Sequence, residues 1–299
     1  NRDKSSKGLY KAKLKSCIFR SYIRTVKYSR EMEEMTEKEI TAETSVNKLG
    51  VENICLVLGT FLVYFFCNPK PQSYYNYTFI VGENFLRGGI GLSDKPPTWL
   101  NEMIPFEGLY YSAFPLGSIL TMLPFSLLKT VGLIKEMPGA FIGALTASAI
   151  CVFLLLIAGK YEISRGKKAL MAAAILFGTF MWTNLTMAGA WQLALGFAML
   201  GELGAIYFTV YNRRPVLAGL FFAMAFGNRT EILLTAPILM FLLSRDNLKF
   251  SEPATYVKSW KPVALFCLVP FLLGVSTLCY NYVRFHHFGD FGYARIPGV

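Results

Sequence analysis

Apolar residues along the chain fall into eight runs separated by short polar segments. An α-helix rises about 1.5 Å per residue, so crossing a hydrocarbon core of about 30 Å takes roughly 20 predominantly apolar residues. Runs at about 51–67, 138–158, 168–187, 190–211, 215–227, 231–244 and 262–283 are candidates for such spans. The fifth and sixth are short, and need tilt, local thinning or burial by neighbouring helices to serve. The eighth run, about 114–134, is interrupted by Pro115, Gly117, Pro124 and Gly132.

Charge decides what that interrupted run does. If it crosses the membrane, the cluster Lys160, Arg165, Lys167, Lys168 and the segment from Arg245 to Lys261 both land outside, against the tendency of cytoplasmic loops to be basic. If it lies along the outer surface, both fall inside together with Arg213 and Arg214. The outer side then receives the Met187–Ala190 turn, the Gly227–Glu231 turn and the stretch from Arg284 to Val299. The expected fold is therefore an all-α polytopic membrane protein. It has about seven transmembrane helices and a long first extracytoplasmic loop, 68–137, that carries juxtamembrane helices.

Composition agrees, with 54% apolar and only 16% charged residues, whereas soluble domains average about a quarter charged. The net charge of +11 is not a nucleic-acid signature, because the basic residues sit in the first thirty positions and between apolar runs. Residues 1–50 form a polar tail, basic from Lys4 to Arg30 and then acidic from Glu31 to Glu39. It lacks a signal peptide's short basic start and small-residue cleavage site, so it is expected in the cytoplasm with the first run kept as an anchor. Residues 51–299 form the membrane module. The chain starts without Met and stops at Val299 after a polar run, so a further C-terminal portion is expected. Cys55, Cys67, Cys151, Cys267 and Cys279 lie in or at the ends of apolar runs, without metal-type spacing, and read as small hydrophobes.

Long loops without structure of their own are uncommon and tend to be functional, which draws attention to 68–137. Within it, Tyr74–Phe79 leads into Glu83–Gly88, a short amphipathic helix closed by glycine. The stretch Trp99–Tyr111 then makes a turn with carboxylates, and Phe114-Pro115-Leu116-Gly117 opens the surface helix. A base for glycosyl transfer calls for acidic side chains held at a membrane surface in this way.

The order of these features resembles the membrane glycosyltransferases of the GT-C fold, in particular bacterial relatives of the dolichyl-phosphate-mannose protein mannosyltransferases. It comprises a basic tail, one span, a loop ending Glu102-(five residues)-Gly108-Leu109-Tyr110-Tyr111-Ser112-Ala113-Phe114-Pro115-Leu116-Gly117, and a surface helix. Gly227-Asn228-Arg229-Thr230, Tyr280-Asn281-Tyr282-Val283-Arg284-Phe285 and Phe288-Gly289-Asp290-Phe291-Gly292-Tyr293 follow. The resemblance covers roughly residues 50–299. It implies transfer of a sugar from a polyprenyl-phosphate donor to an acceptor on the outer face, with an acidic residue of the first outer loop as base. The acid usual just after the first span is replaced here by Asn68-Pro69-Lys70-Pro71-Gln72, and no Asp or Glu occurs before Glu83. That shifts the role of base to Glu102, whose spacing to Gly108 matches an acidic position in some relatives.

A general base needs a carboxylate within hydrogen-bond reach of the acceptor hydroxyl, typically contributing about 10²- to 10⁴-fold. Glu102 is the catalytic candidate, the alternative being a turn cap. Arg229 and Arg284 are candidates to hold the donor phosphate bidentately, or to snorkel to headgroups, and Glu231 could neutralise Arg229. Secondary candidates are Glu107, Asp94, Asp290, Tyr110 and Tyr111. Of these, Glu107 suits turn chemistry and Asp94 a solvated loop, while Tyr74, Tyr75, Tyr110, Tyr111 and Trp191 serve either as sugar-stacking rings or as an interfacial belt. Glu202 lies inside an apolar run, where a carboxyl is costly unless paired or protonated. Adjacent His286 and His287 rarely converge on one ion, so no His metal site is expected. No cofactor is required, although loop carboxylates could hold a divalent cation. The expected partners are a polyprenyl-phosphate sugar donor and membrane lipids, not nucleic acid. The competing classes are a transporter or flippase of lipid-linked sugars and a GT-C-like scaffold without catalysis.

Overall fold

The computed structural model describes residues 51–68, 75–97, 100, 102–245 and 260–296. The tail expected over 1–50, the proline-containing replacement at 69–72, Tyr74, Trp99, Asn101 and positions 246–259 of the inner loop lie outside them. The chain is mostly helical. Its elements in order are α1 (Val51–Phe66), α2 (Tyr77–Leu86), β1 (Met103–Phe106), β2 (Leu109–Ser112), α3 (Leu116–Thr130), α4 (Gly139–Ala158), α5 (Arg165–Gly178) and α6 (Phe180–Met187). Then come α7 (Ala190–Ile206, continued by a wide turn at Tyr207–Tyr211), α8 (Pro215–Asn228), a 3₁₀ turn (Thr230–Thr235), α9 (Ala236–Ser244), α10 (Lys261–Phe285) and a last 3₁₀ turn, Tyr293–Arg295.

Each of the seven predicted runs is helical. Among the described residues, α4, α7 with its continuation, and α10 are individually long and apolar enough to cross a membrane; α5 and α6 together make a fourth candidate, bent by 61°. The predicted run 168–187 is thus two helices. Thr179 breaks it by taking an extended backbone, and its hydroxyl accepts the Met181 N–H, capping α6. α1, α3, α8 and the Thr230–Ser244 segment are shorter apolar helices.

Two features of the loop differ from expectation. Its first helix runs over Tyr77–Leu86, starting earlier than the amphipathic Glu83–Gly88 stretch, because Tyr77, Phe79 and Val81 are buried and anchor the first turns. The turn with carboxylates is a β-hairpin, with Met103 paired to Ser112 and Phe106 to Leu109. Glu107 and Gly108 both take positive φ, 48° and 80°, as two-residue hairpin turns matching the strand twist require.

α3 packs along α2 and also meets α8 and α10. Ser126 on α3 donates to the Phe79 carbonyl at 2.8 Å, and Glu83 is gripped by Lys129 at 2.7 Å and Arg87 at 2.6 Å. At the start of α3, Gly117 lies against Gly227 at the end of α8: a Cβ on Gly117 would come within 2.4 Å of the Gly227 Cα. Between helices surrounded by lipid, such small residues allow the close contact that burial of apolar surface does not drive.

Cross-links sort the helix ends. Arg165 reaches Glu52 at 3.7 Å, the Tyr161 and Tyr211 hydroxyls meet at 2.6 Å, and Arg213 donates to the carbonyls of Leu243 and Arg245. The basic segments at 160–168, 213–214 and 245 therefore gather at one end of the bundle. At the other end are the Gly117–Gly227 contact and the Met187–Ala190 turn, where a Cβ on Gly143 would strike the Leu185 carbonyl.

Gly117→Val should lower the melting temperature in detergent, with overpacking costing about 1–3 kcal/mol. Gly59→Ala on α1, where nothing lies within 4 Å of the added Cβ, should be neutral or slightly stabilising by comparison.

Candidate functional site

At the end of the bundle opposite the basic segments, several element termini converge on a cavity of about 310 Å³. Glu102 enters from the residue before β1, Phe114 and Pro115 from the start of α3, and Trp191 from the start of α7. Asn228 and Arg229 close α8, and Glu231 begins the 3₁₀ turn. The Glu102 backbone is fixed, because its carbonyl accepts the Ala113 N–H at 2.7 Å as the next rung of the hairpin. Arg229 is held by its neighbours. Asn228 is buried, donates to the Met224 carbonyl at 2.9 Å and meets the Thr121 hydroxyl of α3 at 3.3 Å.

The guanidinium of Arg229 lies 5.0 Å from the centroid of the Trp191 ring. Its Nε and Nη2 are buried and without a hydrogen-bond partner, and no ion pair joins Arg229 to Glu231 or Glu102 among the described residues. A buried charged donor left unpaired is costly, so these nitrogens call for an anion. Both charges are felt at the buried hydroxyl of Tyr77: burial pushes it above the ordinary tyrosine range, the Glu102 carboxylate adds to the rise and Arg229 opposes it.

Arg229 and Glu231 also line a second, mainly apolar groove of about 520 Å³. Its walls are Thr179, Phe180 and Asn184 around the break between α5 and α6, and Leu195, Met199 and Glu202 on α7. Glu202 leaves one buried oxygen, Oε2, without a partner. One guanidinium thus stands where a polar cavity meets an apolar groove.

The remaining sequence candidates are placed elsewhere. Arg284, the other residue expected to hold the phosphate, is 2% exposed and does not line the cavity, and its Nε is buried without a partner. Its Nη1 donates to the Ser112 carbonyl at 2.8 Å and its Nη2 to Asn281 at 2.6 Å, while its face covers the Tyr280 ring at 3.9 Å. It pins the hairpin to the end of α10. Tyr111 is buried on the same core and packs edge-on against Phe285, whereas Tyr110 exchanges both backbone hydrogen bonds with Leu92. Glu107 is an exposed turn residue 3.2 Å from His286.

Asp290 accepts from the Gly292 N–H at 2.7 Å and from Arg295 at 2.9 and 3.0 Å. Desolvation works against its charge, but those donors win and hold its carboxyl below the usual aspartate range. Asp94 lines another cavity, about 560 Å³, on the α2 side of β1. The best-placed polar groups there are already used: Glu83 by two cations and Asn84 by the Gly91 carbonyl. The smaller cavity with the unpartnered guanidinium is the stronger site. No group of metal-ligating side chains occurs among the described residues.

Sequence reasoning did not single out Tyr293, which also lines the cavity, and left Trp191 between a stacking ring and a belt residue. Comparison with models of known families, with curated proteins and with solved structures returned no match. The fold and site define a mostly helical chain, several of whose helices are long and apolar enough to cross a membrane, with a mixed-charge cavity at one end.

Arg284→Met should destabilise the protein by about 1–3 kcal/mol, the cost of stranding buried acceptors. Glu107→Ala should stay within about 0.5 kcal/mol, thermal melting deciding both. The stabilisation from Asp290 should be complete above about pH 4, its unfolded-chain value, and fade as pH falls through the lower folded-state value. The gap between wild type and Asp290→Asn in melting temperature should therefore narrow under acid.

Proposed function

We propose that the chain is a membrane glycosyltransferase of GT-C type that moves a sugar from a polyprenyl-phosphate donor to an acceptor hydroxyl at the extracytoplasmic face. The carrying observation is Arg229, whose buried, unpartnered nitrogens stand where the cavity holding Glu102 meets an apolar groove. A lipid phosphate has the same two-part chemistry: an anion for the guanidinium and an apolar chain for the groove.

The seven-span topology fits this reading. The basic segments gather at one end, which by the positive-inside tendency is cytoplasmic. The cavity is at the other. α3 begins against the end of α8, and only 131–138 separate its last residue from the start of α4. That favours α3 as a helix lying at the outer surface and packed on α2, over an eighth span. Its outward side presents Leu120, Leu127 and Leu128 to the interface.

In the reaction, Glu102 takes the proton of the acceptor hydroxyl. The freed oxygen attacks the anomeric carbon, and the bond from that carbon to the phosphate oxygen breaks with its electron pair leaving on the lipid phosphate. Arg229 stabilises the added negative charge, an interaction strongest as the leaving group departs. Displacement of this kind inverts the anomeric centre.

A carrier of lipid-linked sugars is the second reading, because the broken α5–α6 pair lines the groove and transporters place broken helices at their substrate sites. Transfer of labelled sugar from a polyprenyl-phosphate donor separates them. Glu102→Gln should cut kcat by roughly 10²- to 10⁴-fold, and Arg229→Ala should raise KM as well as lower kcat. Undiminished turnover in Glu102→Gln rejects this base, and donor exchange across a bilayer without transfer favours the carrier.

A further inference from the structure

Past the end of α10 the chain turns back on itself. His286 takes a left-handed conformation, φ 57°, and Gly292 another, φ 80°. Gly292 is seated against the core: an added Cβ would lie 2.5 Å from Ile104 Cδ1 and 2.8 Å from the Phe285 ring. The Asp290 carboxylate spans the turn, accepting from the Gly292 N–H on one side and from Arg295 on the other. Arg295 in turn stacks 4.4 Å from the centroid of Phe106 on the hairpin. These contacts fix the short turn Tyr293–Arg295 at the mouth of the cavity, where Tyr293 and Ile296 form a wall facing the same space as Glu102 and Arg229.

The aromatic rings of that cavity are not equivalent. Phe114 is buried and packs on Tyr77 at 5.5 Å, and Trp191 has the Arg229 guanidinium over its face. Tyr293 is 55% exposed, and among the described residues no ring or cation stacks on it. Its ring is open toward a volume of about 310 Å³, enough for one sugar ring with part of a phosphate.

We propose that Tyr293 is a specificity-determining residue whose ring stacks on the transferred sugar, and that the Asp290–Arg295 clamp is the positioning device that holds it there. This rests on the glycosyltransferase reading, and assigns recognition of the sugar to a different residue from recognition of the phosphate. A flat apolar ring edged by polar groups suits the axial C–H face of a pyranose, as aromatic side chains suit amphipathic partners in general.

The test is equilibrium binding by the purified full chain in detergent, comparing bare polyprenyl phosphate with the same lipid carrying one hexopyranose. Wild type should bind the glycosylated lipid more tightly. Tyr293→Ala should weaken that binding by about tenfold, the equivalent of one aromatic contact, and leave bare polyprenyl phosphate unchanged, while Tyr293→Phe retains both. Asp290→Asn should reproduce the selective loss in weaker form. Arg229→Ala should weaken both lipids together. Equal loss of the two lipids in Tyr293→Ala, or no loss of either, overturns the proposal. Binding of neither lipid by wild type instead overturns the lipid-phosphate reading on which it rests, so the two failures are told apart.

Discussion

The cavity depends on how closely α3 approaches α8. Gly117 and Gly227 let the two backbones touch, and no larger side chain fits between them. From that contact the Thr121 hydroxyl reaches Asn228, which fixes the last turn of α8 and so the direction in which Arg229 leaves it. The residues just before Gly117 are Phe114 and Pro115, two walls of the cavity, and the hairpin carrying Glu102 ends at Ser112. A carboxylate from the loop and a guanidinium from the bundle therefore share one space because two glycines, 110 positions apart in sequence, are in contact. In lipid, where neither helix gains by hiding apolar surface from its surroundings, close packing of this kind is the main force holding helices together.

Arg229 and Arg284 show how environment divides two similar residues. Both sit at the C-terminal end of an apolar helix and both lie against aromatic rings. Arg284 has met most of its hydrogen-bonding capacity inside the protein, through the Ser112 carbonyl and Asn281, and is spent on holding the hairpin. Arg229 has a ring beneath it, but Nε and Nη2 have no acceptor. Of the five donors in a guanidinium's rigid fork, Arg284 leaves only Nε buried without an acceptor, whereas Arg229 leaves both Nε and Nη2. Arg229 lines a cavity that an anion can enter, while Arg284 is 2% exposed and lines none of the cavities described above. The two act on the same cavity from opposite directions, since the strand pinned by Arg284 pairs Ser112 with Met103, the neighbour of Glu102.

The helices were legible in the sequence because their signal is long and one-dimensional: apart from the runs at 168–187 and 231–244, which are each divided, every apolar run is mainly one helix. The break at Thr179 was not, since Gly178 and Thr179 sit in an unbroken apolar run and only the hydroxyl's bond to the Met181 N–H reveals the cap. The hairpin was half legible. Gly108 after a carboxylate signalled a turn, but Pro105 and the aromatic run gave no clean alternation by which to recognise two strands. Glu102 and Arg229 could each be picked out by their rarity beside apolar segments, whereas their meeting depends on tertiary packing and is written in no local pattern. The packing of Arg284 against the hairpin was hidden for the same reason. Its partner Ser112 is 172 residues away, and nothing near either position announces the bond.

Glu202 extends the same logic along the groove. It sits one turn from Met199 and two from Leu195 on α7, where the wall is otherwise apolar, and its Oε2 is unpartnered. A carboxyl with a free oxygen in such surroundings is expensive for folding, and burying it under leucine would remove the expense. The groove is lined by an acid as well as by Arg229 and apolar residues, and by a helix pair broken at Thr179. Packing alone would favour a continuous helix and a hydrophobic residue at both places. The departures fall on two sides of one groove that Arg229 also lines, which makes a shared cause more economical than two unrelated defects of packing.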